Sequence, residues 1–213
     1  MPDPRYDIQA ATLGAFGTNA YVIRTRDGTA CWVVDPPDGA AALVDGLRRK
    51  GRTVTRIVLT HGHGDHIAGV AAVKEAFPDA ILTVPAGDEP MLSDPRANVS
   101  AMFGLSVTAP PADQLIRPGD ALTFGDGTWA VLGTAGHTPG GISLYCAAAG
   151  VVLTGDALFA QGIGRTDLPG GDMARLLANI RANLFTLPDD TTVLPGHGPE
   201  TTIGEEKRAN PFL

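Results

Sequence analysis

Apolar residues recur in two alternating rhythms along this chain of 213 residues. Short β-rich runs, Ala20–Ile23 and Cys31–Val34, are each followed by turn signals, Asp27-Gly28 and Asp35-Pro36-Pro37. Leu43, Val44 and Leu47 then share one helical face of Ala40–Lys50, whose basic last turn suits the helix dipole. Val54–Thr60 reads as a largely buried strand. After it Ile67, Val70, Val73 and Phe77 return at helical spacing until Pro78 stops the pattern. Ala80–Val84 predicts a further strand, whereas residues 86–118 follow neither rhythm.

Strand-like runs return at Ala121–Phe124, Trp129–Leu132, Ile142–Cys146 and Val151–Leu153. A helix is expected to open at Asp172, an N-cap type of residue, with Met173, Leu176, Leu177, Ile180 and Leu184 on one stripe. Thr191–Leu194 predicts a last short strand. No repeat of 20–50 residues and no low-complexity linker divides the chain. The expectation is a single α/β (α+β) domain over residues 1–213, with sheets covered by helices. The rhythm alone selects no topology.

Composition narrows the field of functions. A hydrophobic content of 44% with 18% charged residues is ordinary for a globular protein. The formal net charge of −7 speaks against a nucleic-acid partner, which would want a clustered basic face. Arg48–Lys50 and Lys207-Arg208 are short and read as solvated ends of helices. No apolar run approaches the ~20 residues of a membrane span, and the polar segment Met1–Asp7 has no apolar core of a secretory signal. Cys31 and Cys146 are the only cysteines, flanked by strand residues. They read as small core hydrophobes and reduced thiols of a cytoplasmic protein.

The chemistry concentrates in the histidines. All five lie in turn-like, ligand-like settings, three of them within His61-Gly62-His63-Gly64-Asp65-His66. His137 follows Trp129–Leu132, Asp156 follows Val151–Thr154, and His197 follows Thr191–Leu194. Each candidate thus stands just past a strand, where loops on a rigid scaffold converge. Alternation in an extended string would put His61, His63 and Asp65 on one side, with the glycines allowing a tight turn. Neutral imidazole is the commonest metal ligand, so a hydrolytic metal centre is the first expectation. Asp35 is expected to close its strand, either as support behind the ligands or as a plain turn residue. Met91, Met102 and Phe103 read as core filling rather than as the wall of a substrate groove.

The string at 61–66, with His137, Asp156 and His197 in that order, resembles the metallo-β-lactamase superfamily from Val33-Val34-Asp35 to Pro195–Pro199. The resemblance implies a four-layer αββα sandwich with the site along one edge. It implies a first divalent ion on His61, His63 and His137, a second on Asp65, His66 and His197, and Asp156 bridging the two. Two such ions sharing a water lower its pKa and supply hydroxide near neutral pH, with Asp65 also a catalytic candidate for orienting the nucleophile or moving its proton. Zinc is the first expectation for the metal; iron and manganese suit the same donors.

Within the superfamily, aspartate at 156 and the stretches Thr154–Phe159, Gly162–Arg165, Ala97–Ser100 and Thr202–Phe212 are similar to the glyoxalase II (hydroxyacylglutathione hydrolase) branch, especially its short bacterial members. This implies hydrolysis of an acyl-thioester such as S-hydroxyacylglutathione, a small-molecule partner. Two departures stand out. No helical C-terminal glutathione-binding domain follows His197, and Asp167 occupies the place where an aromatic residue is common beside the basic Arg165, the tentative substrate contact. The alternatives are a mononuclear-iron persulfide dioxygenase, a promiscuous β-lactamase or lactonase, and a metal-stabilised binding module. The oligomeric state stays open.

Overall fold

The computed structural model describes residues 6–26 and 28–213. Residues 1–5 lie outside the described residues, and so does Asp27 of the expected turn. The chain opens with a hairpin, β1 (Tyr6–Leu13) and β2 (Thr18–Thr25), followed by β3 (Ala30–Val34), helix α1 (Ala40–Arg49) and β4 (Thr53–Val58). Two short helices, α2 (Gly64–Ile67) and α3 (Val70–Ala76), lead to β5 (Ile81–Pro85); two 3-10 turns, Glu89–Leu92 and Ser100–Phe103, precede β6 (Gln114–Ile116). These strands form one sheet in the order β1-β2-β3-β4-β5-β6, antiparallel through β3 and parallel beyond it.

The second half builds β7 (Ala121–Phe124), β8 (Gly127–Gly133), β9 (Ile142–Cys146) and β10 (Val151–Gly155), then the small ribbon β11 (Leu158–Phe159) and β12 (Gly162–Ile163). Helix α4 (Met173–Asn179) widens into a π-helical turn at Ile180–Leu184, and β13 (Thr192–Pro195), β14 (Thr201–Thr202) and α5 (Ile203–Ala209) close the chain. The second sheet runs β14-β13-β10-β9-β8-β7.

The pleat sorts side chains into three layers of contact. Tyr21, Ile23, Trp32, Val34 and Val58 of the first sheet meet Phe124, Trp129, Val131, Leu144 and Leu153 of the second in the central core. Their neighbours along the same strands, Val22, Val33 and Ile57, point the other way, onto Val44 and Leu47 of α1 and Val70 and Val73 of α3. Val152 and Val193 likewise face Leu176, Ile180 and Ile203 on the far side. Alternation with period two on strands and an apolar stripe on each helix therefore give the expected αββα sandwich.

Local departures have local causes. The helical rhythm after the histidine string is broken at Gly69, where a Cβ would overlap the carbonyl oxygen of Pro37 and the Ala40 methyl. The backbone there passes too close to the start of α1 for one continuous helix. Met173 does not join the stripe of its helix; it is 45% exposed. Strand β1 gives no clear signal in the sequence because it is a sheet edge, largely half-exposed, with Gln9, Ala10 and Ala11 in mid-strand. Helix α5 is set by a capping pair, the Thr202 hydroxyl accepting from the Glu205 backbone N–H at 3.2 Å. Cys31 and Cys146 are buried thiols, as expected. No helix among the described residues is long and apolar enough to cross a membrane.

Candidate metal centre

Strand direction brings the candidate ligands together. β8 and β10 are both antiparallel to β9, and β13 is parallel to β10, so all three end at the same edge of their sheet. β3, β4 and β5 are mutually parallel and end at one edge of the other sheet. His61, His137, Asp156 and His197 lie just beyond Val58, Gly133, Gly155 and Pro195, the last residues of β4, β8, β10 and β13.

All seven predicted side chains gather there, in two groups. His61, His63 and His137 each present a donor atom within 4.8 Å of the others, and Asp65, His66 and His197 do the same. Asp156 lies between the groups. Its Oδ2 is 3.5 Å from His137 Nε2 and 3.4 Å from His197 Nε2, and its Oδ1 is 3.3 Å from His66 Nε2. The string itself is not one extended stretch. His63 is extended, but α2 begins at Gly64, so Asp65 turns towards His66 and His197 instead of joining His61 and His63. Neither Gly62 nor Gly64 takes a positive φ; a side chain at 62 would collide with Met91.

The imidazoles are oriented from behind. His66 Nδ1–H donates to Asp35 Oδ2 at 3.1 Å, and His137 Nδ1–H donates to the Arg165 carbonyl at 2.7 Å. The Thr60 hydroxyl donates to Asp35 Oδ2 at 2.6 Å and lies 3.1 Å from His61 Nδ1. Asp35 thus steers a ring in each group. Although its carboxylate lies within ligand reach of His61 and His66, it is already engaged by Thr60 and His66, which makes it a support. The Nε2 atoms of His61, His63 and His137 are buried without a hydrogen-bond partner. Buried polar atoms are rarely left so. Convergent lone pairs on fixed rings are what a divalent cation requires, and the donor set fits one.

Electrostatics divides the groups further. Burial pushes His61 far down, and burial together with the charge of His137 takes His63 to about 3, so both rings are neutral at neutral pH. Burial would also lower His66, but Asp65 and Asp156 outweigh it and hold the ring well above its usual range. His197 is likewise lowered by burial, yet its hydrogen bonds with Asp156 and Asp65 lift it to about 10. Burial raises Asp65 and Asp156, and the charge of His66 with a hydrogen bond to His197 more than reverses this, leaving both carboxyls well below the ordinary range.

Three further residues build the site although the sequence pattern did not single them out. The Thr18 hydroxyl donates to Asp65 Oδ2 at 2.8 Å. Thr60 relays Asp35 to His61. Asp88 is fully buried and accepts from the Gly62 N–H, the Thr138 hydroxyl and the Gly140 N–H at 3.0, 2.6 and 2.6 Å. It clamps the loop of His61 and His63 to the loop of His137. The rule that located the ligands would have found it, because Asp88 stands just past Pro85, the end of β5.

A groove of about 590 Å³ opens over the cluster. Arg165 lines it, but its guanidinium is paired with Asp167 through two bonds of 2.7 Å and both side chains are exposed. Met91 is buried, as expected of a core residue. Met102 and Phe103 are not core: they are 65% and 55% exposed, and Phe103 lines the groove. The 3-10 turn that carries them leaves both side chains largely outside the core, and Phe103 packs edge to face on Phe16, itself exposed.

Five imidazoles and two carboxylates gathered at one end of an αββα sandwich define a metal-dependent hydrolase. The chain belongs to the metallo-beta-lactamase superfamily, whose family model matches residues 13–197. It is 41% identical to the probable metallo-hydrolase YqgX of Bacillus subtilis over 202 residues, 94% of each chain. It is 34% identical to the hydroxyacylglutathione hydrolase GloC of Haemophilus influenzae, covering 97% of this chain and 98% of that one. Among solved structures it resembles the B3 metallo-beta-lactamase BLEG-1, with 42% identity, a TM-score of 0.93 and coverage of 97% and 99%. It also resembles TTHA1623 in a di-iron-bound form, with 35% identity, a TM-score of 0.86 and coverage of 96% and 100%.

Proposed function

We propose that the chain is a thioesterase that hydrolyses S-hydroxyacylglutathione or a related acyl-thioester. The observation that carries this reading is Asp156, an aspartate whose carboxylate reaches both ligand groups. His61, His63 and His137 would hold one ion, Asp65, His66 and His197 a second, and Asp156 would serve both. The bound ions supply Lewis acidity and a lowered water pKa.

The side chains around them have separable tasks. Asp65 is held ionised and fixed by Thr18 and His197, which leaves it able to orient an attacking water or take its proton. Asp35 and Thr60 hold the rings, so that little reorganisation is needed. In the overall reaction the water oxygen bonds to the thioester carbonyl carbon, the C–S bond breaks, and the thiol leaves with a proton. The name of the Haemophilus relative supports glutathione as the thiol. Zinc is the metal proposed, with iron the alternative that the di-iron form of TTHA1623 favours.

Thiol release from S-lactoylglutathione by metal-replete protein tests the reading. Cleavage of other thioesters but not this one removes glutathione; no cleavage of any thioester removes the thioesterase. A second reading, β-lactam hydrolysis as a side activity, is favoured by the likeness to BLEG-1. Nitrocefin turnover checks it.

A further inference from the structure

We infer that the groove selects a substrate with an apolar acyl group, held between Phe16 and Phe103 beside the metal centre. This rests on the thioesterase reading and names its substrate class more narrowly. Phe16, at the tip of the β1–β2 hairpin, and Phe103, at the end of the 3-10 turn Ser100–Phe103, meet edge to face with ring centroids 4.9 Å apart. Both line the groove and both stay exposed, at 44% and 55%, as does Leu105 next to them, at 50%. Exposed aromatic and aliphatic groups contiguous with a reactive centre are the ordinary mark of an apolar binding surface.

The wall is built rather than incidental. Asn98 accepts through its backbone carbonyl from the Gly64 N–H at 2.9 Å, which joins the 3-10 segment to the histidine string. Its side-chain amide donates to the carbonyls of Met91 and Val107, and its Oδ1 accepts from the Ser100 N–H. Between these anchors Val99, a β-branched residue, is held at φ 60°, a left-handed conformation that such residues rarely adopt. Thr18, the first residue of β2 after the turn that carries Phe16, ties the tip of the hairpin to Asp65. The segments that carry both aromatic residues are therefore tied to the ligand cluster.

Charge assigns the direction. Arg165 is the one lysine or arginine among the described residues lining the groove, and its backbone carbonyl anchors His137. Its guanidinium is held by Asp167, which a substrate carboxylate has to displace or share it with. The aromatic pair is tied instead to Gly64 and Asp65. On the thioesterase reading the thiol part carries carboxylates, so it takes the Arg165 side. The acyl group is left facing Phe16 and Phe103.

The test is a series of S-acyl glutathiones from acetyl to octanoyl, cleaved by metal-loaded protein, alongside binding of S-alkyl glutathiones, thioethers with no cleavable carbonyl. Wild type is expected to gain about threefold to fourfold in kcat/KM, and in thioether affinity, per added methylene. Phe16→Ala and Phe103→Ala are expected to flatten both slopes, and Phe103→Leu to keep most of them. Flat slopes in wild type, or slopes unchanged in both alanine variants, would overturn the inference while leaving any observed thioester cleavage intact. If no thioester is cleaved, the thioesterase reading fails on its own, and the thioether affinities still decide whether the aromatic wall binds apolar chains.

Discussion

The two ligand groups are built from the same residue types yet prepared for a cation in opposite ways. His61, His63 and His137 are almost fully buried, their Nε2 atoms have no hydrogen-bond partner, and the Asp156 carboxylate lies beside them. Burial keeps His61 and His63 neutral, so their lone pairs are available without any loss of protons. Asp65, His66 and His197 form an ion-paired triad in which His66 Nε2 and His197 Nε2 are 3.3 Å apart, each within 3.5 Å of Asp65. There the protons on His66 and His197 stand in for a metal. Cation binding to the second group therefore releases protons from His66 and His197, whereas His61 and His63 have none to release.

Changing the residue shared by the groups should do the most damage. Asp156→Ala is expected to lower hydrolysis by ~10³-fold or more and to cut the bound metal below two ions per chain, read by steady-state kinetics and elemental analysis. Next, Asp88→Asn should act on the first group alone. An amide cannot accept from all three donors that Asp88 satisfies, so the loops of His61, His63 and His137 drift apart. First-ion affinity should then fall by about 10–100-fold in a chelator competition, and an equal fall for both ions would erase the distinction between the groups.

Thr18→Val is the complementary change. It removes one hydrogen bond from Asp65 and should weaken only the second ion, by about threefold to tenfold. The smallest effect is in metal-free protein. His197 is raised from 6.5 to about 10 on folding, so its contribution to stability is complete below pH 6.5 and is gone once the pH has climbed past about 10. Asp65 and Asp156 are lowered from 3.8, so theirs is present above that value and lost on acidification. His61 and His63 are lowered below 6.5, so keeping their rings neutral costs stability as the pH falls below that value. Melting temperature should therefore peak near pH 6.5 and fall by a few degrees towards pH 10. Saturating zinc should remove that alkaline loss, and a metal-free protein that grows more stable towards pH 10 would contradict the proton-filled second group.

Much of this was legible along the chain, for identifiable reasons. Buried strands such as β4 and β10 and the helix stripe of Val44 and Leu47 are repeated patterns with one physical cause each, burial on a known face. The ligands were legible because histidine is scarce here and every copy follows a strand. What stayed hidden depends on contacts distant in sequence. Thr18 reaches Asp65, and Asn19 donates to the Pro195 carbonyl, a partner far along the chain. β1 alternates only over Tyr6–Ala10 before Ala11 and Thr12 break the pattern, and Phe103 looks like any core aromatic until its turn is seen to leave it exposed beside the groove. The grouping of Asp65 with His66 and His197 follows from a helix starting at Gly64, which spacing alone did not disclose.

None of the seven donor side chains belongs to any of the three apolar clusters that hold the layers together. Every one is mounted on a loop beyond the last residue of a strand or, for Asp65 and His66, on the short turn that follows. Chemical equipment and scaffold are thus separable inheritances: a donor can be exchanged, or a loop lengthened, with the sandwich beneath left standing. A framework of this kind can be refitted for new reactions by point changes at its rim.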